Sequence, residues 1–136
     1  MTSLLRGGCL CGAVSFTVAD SFLYAAYCHC SRCRRRSGAA FKAFGGIAIE
    51  ELRITAGEAE LVVTEESTEG YNAFCGCCYS PLFSAVSGRR RVHVNLGALA
   101  DAPSKKPDHH IFVGSKAAWY EITDELPRFD ALPVPP

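Results

Sequence analysis

The six residues Cys28-His29-Cys30-Ser31-Arg32-Cys33 place three thiols in the pattern C-x-C-x-x-C. A disulfide between neighbours this close would shut a loop of only a few residues against a demanding geometry. Thiolates are good zinc ligands, and ligands separated by one to four residues can wrap one ion. Three protein ligands also leave a fourth tetrahedral position open, which is what a catalytic zinc uses. The chemistry expected at Cys28, Cys30 and Cys33 is therefore activation of a group that arrives from outside.

A second constellation is spread further. Cys9 and Cys11 form one short pair, and Cys75 and Cys78 form another far along the chain. Two such pairs joined across a β-domain make a structural site of four thiolates. Glycines beside Cys9, Cys11 and Cys75 suit the sharp turns such knuckles need. Closing so long a loop would stabilise the fold in the chain-entropy picture. The alternative is a set of buried free thiols, since cysteine is often buried. Cys77 is left over: it is either a bystander thiol or a replacement for Cys75 or Cys78.

Short strands must hold these residues. Residues 13–18 alternate between small or polar and apolar, the period of a strand. Residues 23–27 lead into the three-thiol stretch as a second strand, and Arg34 to Gly38 reads as a helical turn ended by its glycine. Residues 39–44 form a short strand that Gly45-Gly46 is expected to interrupt. Residues 47–49 and 52–55 are two further pieces, Gly57 turns, and 59–64 is a strand. Residues 70–74 run into the second knuckle, 81–86 leave it, 91–96 alternate again, and 110–113 make a last short strand. Residues 101–107 read as a loop and 115–122 as a turn or partial helix. About nine short strands with little helix give a mostly β class in one domain, 1–136, with a proline-rich tail from about 127 expected to be extended or disordered.

Composition narrows the function. The 136 residues carry 14 basic and 14 acidic side chains, so no global field points to nucleic acid or to a membrane surface. No apolar run is long enough to span a bilayer, and residues 1–8 carry no secretory signal. Eight clustered cysteines favour metal in a reducing compartment, so the expected location is the cytoplasm.

Three cysteine motifs in order carry a specific resemblance: Cys9-Leu10-Cys11-Gly12-Ala13-Val14, Cys28-His29-Cys30-Ser31-Arg32-Cys33 and Phe74-Cys75-Gly76-Cys77-Cys78-Tyr79-Ser80-Pro81-Leu82. With His110-Ile111, Lys116, Trp119, Asp124 and Leu126-Pro127, they resemble the glutathione-dependent formaldehyde-activating enzyme family, which includes centromere protein V. The resemblance implies a zinc-stapled β-tent of stacked antiparallel sheets. It implies two zinc ions, a structural one on Cys9, Cys11, Cys75 and Cys78 and a catalytic one on Cys28, Cys30 and Cys33. It also implies a carbon–sulfur lyase of the S-(hydroxymethyl)glutathione synthase type, with glutathione as co-substrate and an aldehyde as partner. One residue departs from the family pattern: Tyr79 stands where glycine is usual. A side chain there needs an allowed backbone angle, or a knuckle rearranged around Cys77.

Arg32, Arg34, Arg35 and Arg36 surround the site in sequence and could offset its negative charge or hold the carboxylates of glutathione, Arg34 and Arg35 being the first candidates for the carboxylates, with a solvated face as the alternative role of the run. His29 is a candidate base or a packed histidine, and His110 is expected to be structural. Tyr27 and Phe41 are candidate pocket walls. The competing function is a non-catalytic zinc module for a protein or nucleic-acid partner, using Arg34-Arg35-Arg36 and Arg89-Arg90-Arg91 as a local patch. A thiol redox role ranks below both, because zinc-bound thiols are poor redox nucleophiles.

Overall fold

A computed structural model describes residues 3–133. Ten strands form two sheets, and the described residues contain one α-helix. The smaller sheet holds β1 (Leu4–Gly8), β2 (Ser15–Ala19) and β5 (Leu52–Ala56), in the order β1-β2-β5. The larger sheet contains β3 (Tyr24–Cys28), β4 (Lys42–Ala48), β6 (Leu61–Ser67), β7 (Gly70–Cys75), β8 (Pro81–Val86), β9 (Arg91–Asn95) and β10 (His110–Ile111). Its order is β10-β3-β4-β9-β8-β7-β6. Every pairing is antiparallel except β10 with β3, which is parallel. The helix α1 spans Ser31–Ser37. The mostly β expectation of stacked antiparallel sheets with little helix holds.

Burial follows the two-residue period of the strands. Phe16 and Val18 of β2 and Leu5 of β1 pack against Ala73, Phe83, Val92, Val94 and Ile47 of the larger sheet. The rings of Phe16 and Phe83 meet edge-on at 6.2 Å. The register then fixes what lies on the other face. Asn72 is opposite Ser84, Ser84 opposite His93, His93 opposite Gly46, and Gly46 opposite Tyr24. One row of the larger sheet thus carries the core, and the neighbouring row carries polar groups toward α1.

Gly45-Gly46 corrects an expectation. The pair was expected to interrupt the strand, yet β4 runs straight through both. A Cβ at Gly45 would come within 2.6 Å of the Phe22 ring, and one at Gly46 within 2.2 Å of the Tyr24 ring. The glycines are there for close approach of aromatic rings, a role glycine has in strands as well as in turns. The strand accordingly begins at Lys42 and ends at Ala48, three residues later at its start than expected.

Two other elements differ from the sequence reading. β1 lies in a segment, Leu-Leu-Arg-Gly-Gly, with too little alternation to read as a strand. It is fixed instead by pairing with β2 and by Arg6, whose guanidinium and backbone N–H donate to the Asp101 carboxylate. The helix starts before the arginine run, with Cys30 as its N-cap, and ends as expected at Gly38 in the left-handed region at φ 65°. Residues 115–122 hold the end of the 3-10 turn Val113–Ser115 and a turn at 118–119, with Tyr120 N–H donating to the Ala117 carbonyl, in keeping with the turn expected there. The tail from Pro127 is extended and tied: His110 N–H donates to the Pro127 carbonyl, Phe129 N–H to that of His110, and Phe112 N–H to that of Ala131. Residues 134–136 lie outside the described residues. No helix among the described residues is long and apolar enough to cross a membrane.

Candidate metal centres and the cavity between them

Cys9 and Cys11 sit in the loop that joins β1 to β2, Cys75 ends β7, and Cys78 lies in the turn that joins β7 to β8. Their four sulfurs all lie within 4.8 Å of one another. Cys9 and Cys11 Sγ are 3.6 Å apart, and Cys11 and Cys75 Sγ are 3.8 Å apart. A tetrahedron of thiolates with zinc–sulfur bonds of about 2.3 Å has edges of about 3.8 Å, so this donor set fits a zinc ion. Backbone amides complete the knuckles: Val14 N–H donates to Cys9 Sγ at 3.2 Å and Cys77 N–H to Cys75 Sγ at 3.3 Å. Ser80 binds both halves, with Leu10 N–H donating to its Oγ at 3.0 Å and Cys78 Sγ lying 3.1 Å away. The Ser80 hydroxyl, helped by backbone donors, lowers the Cys78 thiol to about 5.

Tyr79 resolves the question its position raised. It adopts φ 61°, the left-handed conformation a glycine would take there. The backbone of the knuckle is kept and the side chain carries the strain. Cys77 stays out of the cluster, its thiol donating to Glu60 Oε2 at 3.4 Å.

The second cluster is built locally. Cys28 is the last residue of β3 and is buried, Cys30 caps α1, and Cys33 is in the first turn of the helix. Their sulfurs also lie within 4.8 Å of one another. Cys30 Sγ accepts the Cys33 N–H at 3.3 Å. Hydrogen bonds from Cys28 and Cys33, and then backbone N–H groups, lower the Cys30 thiol to about 2. Cys28 and Cys33 shift upward in exchange, Cys28 because it is hydrogen-bonded to Cys30 first of all. Three sulfurs this close are a donor set suited to a divalent ion.

A cavity of about 540 Å³ runs from Cys9 and Leu10 at one end to Cys33 at the other. Phe41, Phe74, Pro81 and Phe83 give it apolar walls. A second lobe of about 270 Å³ is more polar, with Arg32, Glu69, Tyr71 and His93 in its lining. The lobes share Cys33, Arg36, Lys42, Asn72 and Ser84, so the three-thiol cluster stands at their junction. The four-thiol cluster contributes only Cys9 to this lining.

The profile of the family described as glutathione-dependent formaldehyde-activating enzyme matches residues 4–115. The chain belongs to the glutathione-dependent formaldehyde-activating enzyme family. A Halomonas elongata protein provisionally given that name is 33% identical, over 88% of this chain and 81% of its own length. A Fusarium vanettenii protein with the same provisional name is 27% identical, over 82% of this chain and 62% of its own length. The crystal structure of a Rhodobacter sphaeroides protein superposes with a TM-score of 0.60 at 27% identity, covering 75% of this chain and 97% of that one.

Both cysteine groups of this family member are thus assembled as three and four. The other sequence candidates fall elsewhere. Arg34 and Arg35 line neither lobe; Arg32 and Arg36, one helical turn apart, do. His29 is fully buried, and its Nε2 lies 2.8 Å from His110 Nδ1. His110 Nε2 is 3.0 Å from an oxygen of Asp124. Burial first, then the charges of His110 and Lys116, lowers the His29 imidazole to about 4. Both histidines are packed, and they pin the three-thiol loop to the C-terminal segment. Phe41 walls the larger lobe, whereas Tyr27 lies outside it, meeting the Phe41 ring edge-on and the His110 ring at a tilt.

The sequence reading missed Lys42, Asn72, Ser84 and His93, which come from β4, β7, β8 and β9 and belong to no local motif. A faint signal existed. Each is a polar residue in a strand otherwise made of small and apolar ones, as in Ala-Phe-Lys-Ala-Phe and Arg-Val-His-Val.

Proposed function

We propose that this protein joins a thiol to a small aldehyde at the three-thiol cluster, as a carbon–sulfur lyase of the S-(hydroxymethyl)glutathione synthase type. The observation that carries the reading is that the three-thiol cluster opens on the cavity where its two lobes meet, through Cys33, which lines both, and Cys30, which lines the smaller. Zinc fits both donor sets. Held by Cys28, Cys30 and Cys33, it would supply an open position where an incoming thiol loses its proton near neutral pH. Held by Cys9, Cys11, Cys75 and Cys78, it would close the fold. Family membership makes glutathione and formaldehyde the first candidates for the substrate pair.

The chain's own groups bind and orient. Arg32 and Arg36 line the polar lobe and are suited to the carboxylates of glutathione, the two of the four arginines offered by the sequence that reach the cavity, in place of the first candidates Arg34 and Arg35. The larger lobe excludes water with Phe41, Phe74 and Phe83 and holds the aldehyde close to the sulfur. A reducing cytoplasm is the setting that keeps eight free cysteines available.

The test is nuclear magnetic resonance exchange between glutathione, formaldehyde and their adduct, with zinc-loaded protein. The expected result is exchange well above the uncatalysed rate, lost in Cys33→Ser. Absence of acceleration in the zinc-loaded parent would replace this reading with the non-catalytic zinc module.

A further inference from the structure

Lys42 has no role in the reading above, yet its place in the site is unusual. It begins β4 and is directly opposite Cys28 on β3, so the two side chains share a face of the sheet. It lines both lobes of the cavity together with Cys33. Its ammonium donates to Ser84 Oγ at 3.0 Å, and the Ser84 hydroxyl in turn donates to Asn72 Oδ1 at 2.7 Å. Serine and asparagine therefore act as a rigid strut, set on β8 and β7, for a lysine on β4. A lysine ammonium has three N–H donors. Among the described residues Lys42 spends one, on Ser84.

The charge around it gives the strut a purpose. Three thiolates about a divalent ion leave one net negative charge, and an external thiolate adds another. Addition of that sulfur to a carbonyl then moves this second negative charge onto the aldehyde oxygen. Such a charge needs a fixed donor in a site from which water is excluded. Arg36 reaches the same junction from α1, and Lys42 reaches it from the sheet, held at its tip by Ser84.

We infer that Lys42, braced by Ser84 and Asn72, is a catalytic residue that donates a hydrogen bond and then a proton to the aldehyde oxygen as the thiolate adds to its carbon. The balance is complete. A sulfur lone pair forms the carbon–sulfur bond, the carbonyl π pair moves to oxygen, and a Lys42 proton turns that oxygen into the hydroxyl of the adduct. The neutral amine then regains the proton that the incoming thiol released. The net reaction is thiol plus aldehyde giving a hydroxyalkyl thioether, with no oxidant or reductant. In the reverse direction the amine removes the hydroxyl proton and the carbon–sulfur bond breaks.

This inference rests on the proposed thiol–aldehyde reaction, and its test separates the two. Zinc-loaded parent, Lys42→Met, Lys42→Arg and Ser84→Ala are compared for zinc content, far-UV circular dichroism, glutathione affinity by calorimetry, and forward and reverse rates with glutathione and formaldehyde. Lys42→Met is expected to keep its zinc and its glutathione affinity within about threefold, and to lose about 10²-fold or more in kcat in both directions, the usual effect of removing one such donor. Lys42→Arg should recover part of that loss, and Ser84→Ala should lose about tenfold because the charge remains without its brace. A Lys42→Met protein with parental kcat, or one whose whole loss lies in glutathione affinity, overturns the inference. If Lys42→Met loses zinc or its β signal, Ser84→Ala decides: a parental kcat there overturns it too. A zinc-loaded parent that gives no acceleration removes the underlying reaction and this inference together, whereas an active parent with an indifferent Lys42 removes the inference alone.

Discussion

The two cysteine clusters use the same donor atom and differ in how the chain brings it there. Cys28, Cys30 and Cys33 come from one strand end and the helix turn that follows, so the local backbone alone gathers them. Cys9 and Cys11 meet Cys75 and Cys78 across a sequence separation of 64 residues between Cys11 and Cys75, at the place where the two sheets approach. A metal bound by the distant set would free its ligands only if the fold opened. One bound by the local set would cost little fold when lost. The first arrangement suits closure and the second suits chemistry, because a locally built site can stand at a cavity without holding the sheets together.

The largest expected effect falls on the local cluster. Cys33→Ser should bring adduct formation down to the uncatalysed rate, roughly 10³-fold or more by analogy with loss of an essential activating group. Its β signal and one zinc per chain should remain, measured by circular dichroism and elemental analysis. A Cys33→Ser protein that unfolds would erase the distinction between the clusters.

Next comes the distant cluster. Cys9→Ser should lower stability by roughly several kcal/mol, since the binding energy of a structural zinc is folding energy. Thermal unfolding with a parallel zinc assay reads this directly. Mild chelation should remove one ion before the other, with the fold outlasting the first loss. Simultaneous release of both ions with unfolding would count against unequal sites.

The polar row beside the local cluster gives a smaller, pH-dependent effect. Burial, then the charges of Lys42 and Arg91, holds the His93 imidazole down at about 3, and its Nε2 lies 2.7 Å from the Tyr24 hydroxyl. The unfolded chain takes up this proton near pH 6.5, the folded chain only near 3. The unfolded state thus binds more protons in between, so stability falls as pH drops through 6.5 and goes on falling toward 3. Denaturant unfolding of the zinc-loaded protein at pH 7 and pH 5.5 should show a steeper loss for the parent than for His93→Gln. Equal slopes would mean that His93 does not titrate this way.

The smallest effects lie at the knuckle of the distant cluster. Tyr79→Gly relieves a left-handed residue whose side chain is 72% exposed, and should raise stability by about 0.5–1 kcal/mol. Cys77→Ser should change zinc content not at all and stability by less than about 0.5 kcal/mol, as for other surface substitutions. A loss of zinc in Cys77→Ser would show that the knuckle uses that thiol after all.

Much of the local cluster could be read before any fold was known, because its three ligands lie within six residues and one turn of helix. The distant cluster was legible as two pairs, but their choice over Cys77 needed the backbone at Tyr79. Gly45-Gly46 read as a break because glycine usually punctuates local structure. Its true reason, two aromatic rings lying on the strand, comes from Phe22 and Tyr24 on a neighbouring segment. The four arginine candidates narrowed to Arg32 and Arg36, and not to the favoured Arg34 and Arg35, for a similar reason. A run of arginines names a charge, whereas the helix phase and the position of the cavity choose which of them face it.

The sequence by itself determined the donor chemistry, the family and the short-strand β class, since thiol spacing and two-residue alternation act over a few bonds. Only the tertiary structure decided that Asn72, Ser84, His93 and Tyr24 form one polar row, and that Lys42 stands over Cys28 at the meeting of two lobes. The physical reason is register. Hydrogen bonds between strands align residues that are tens of positions apart, and a shift of one residue in any strand would send its polar side chain into the core and its apolar neighbour into the site.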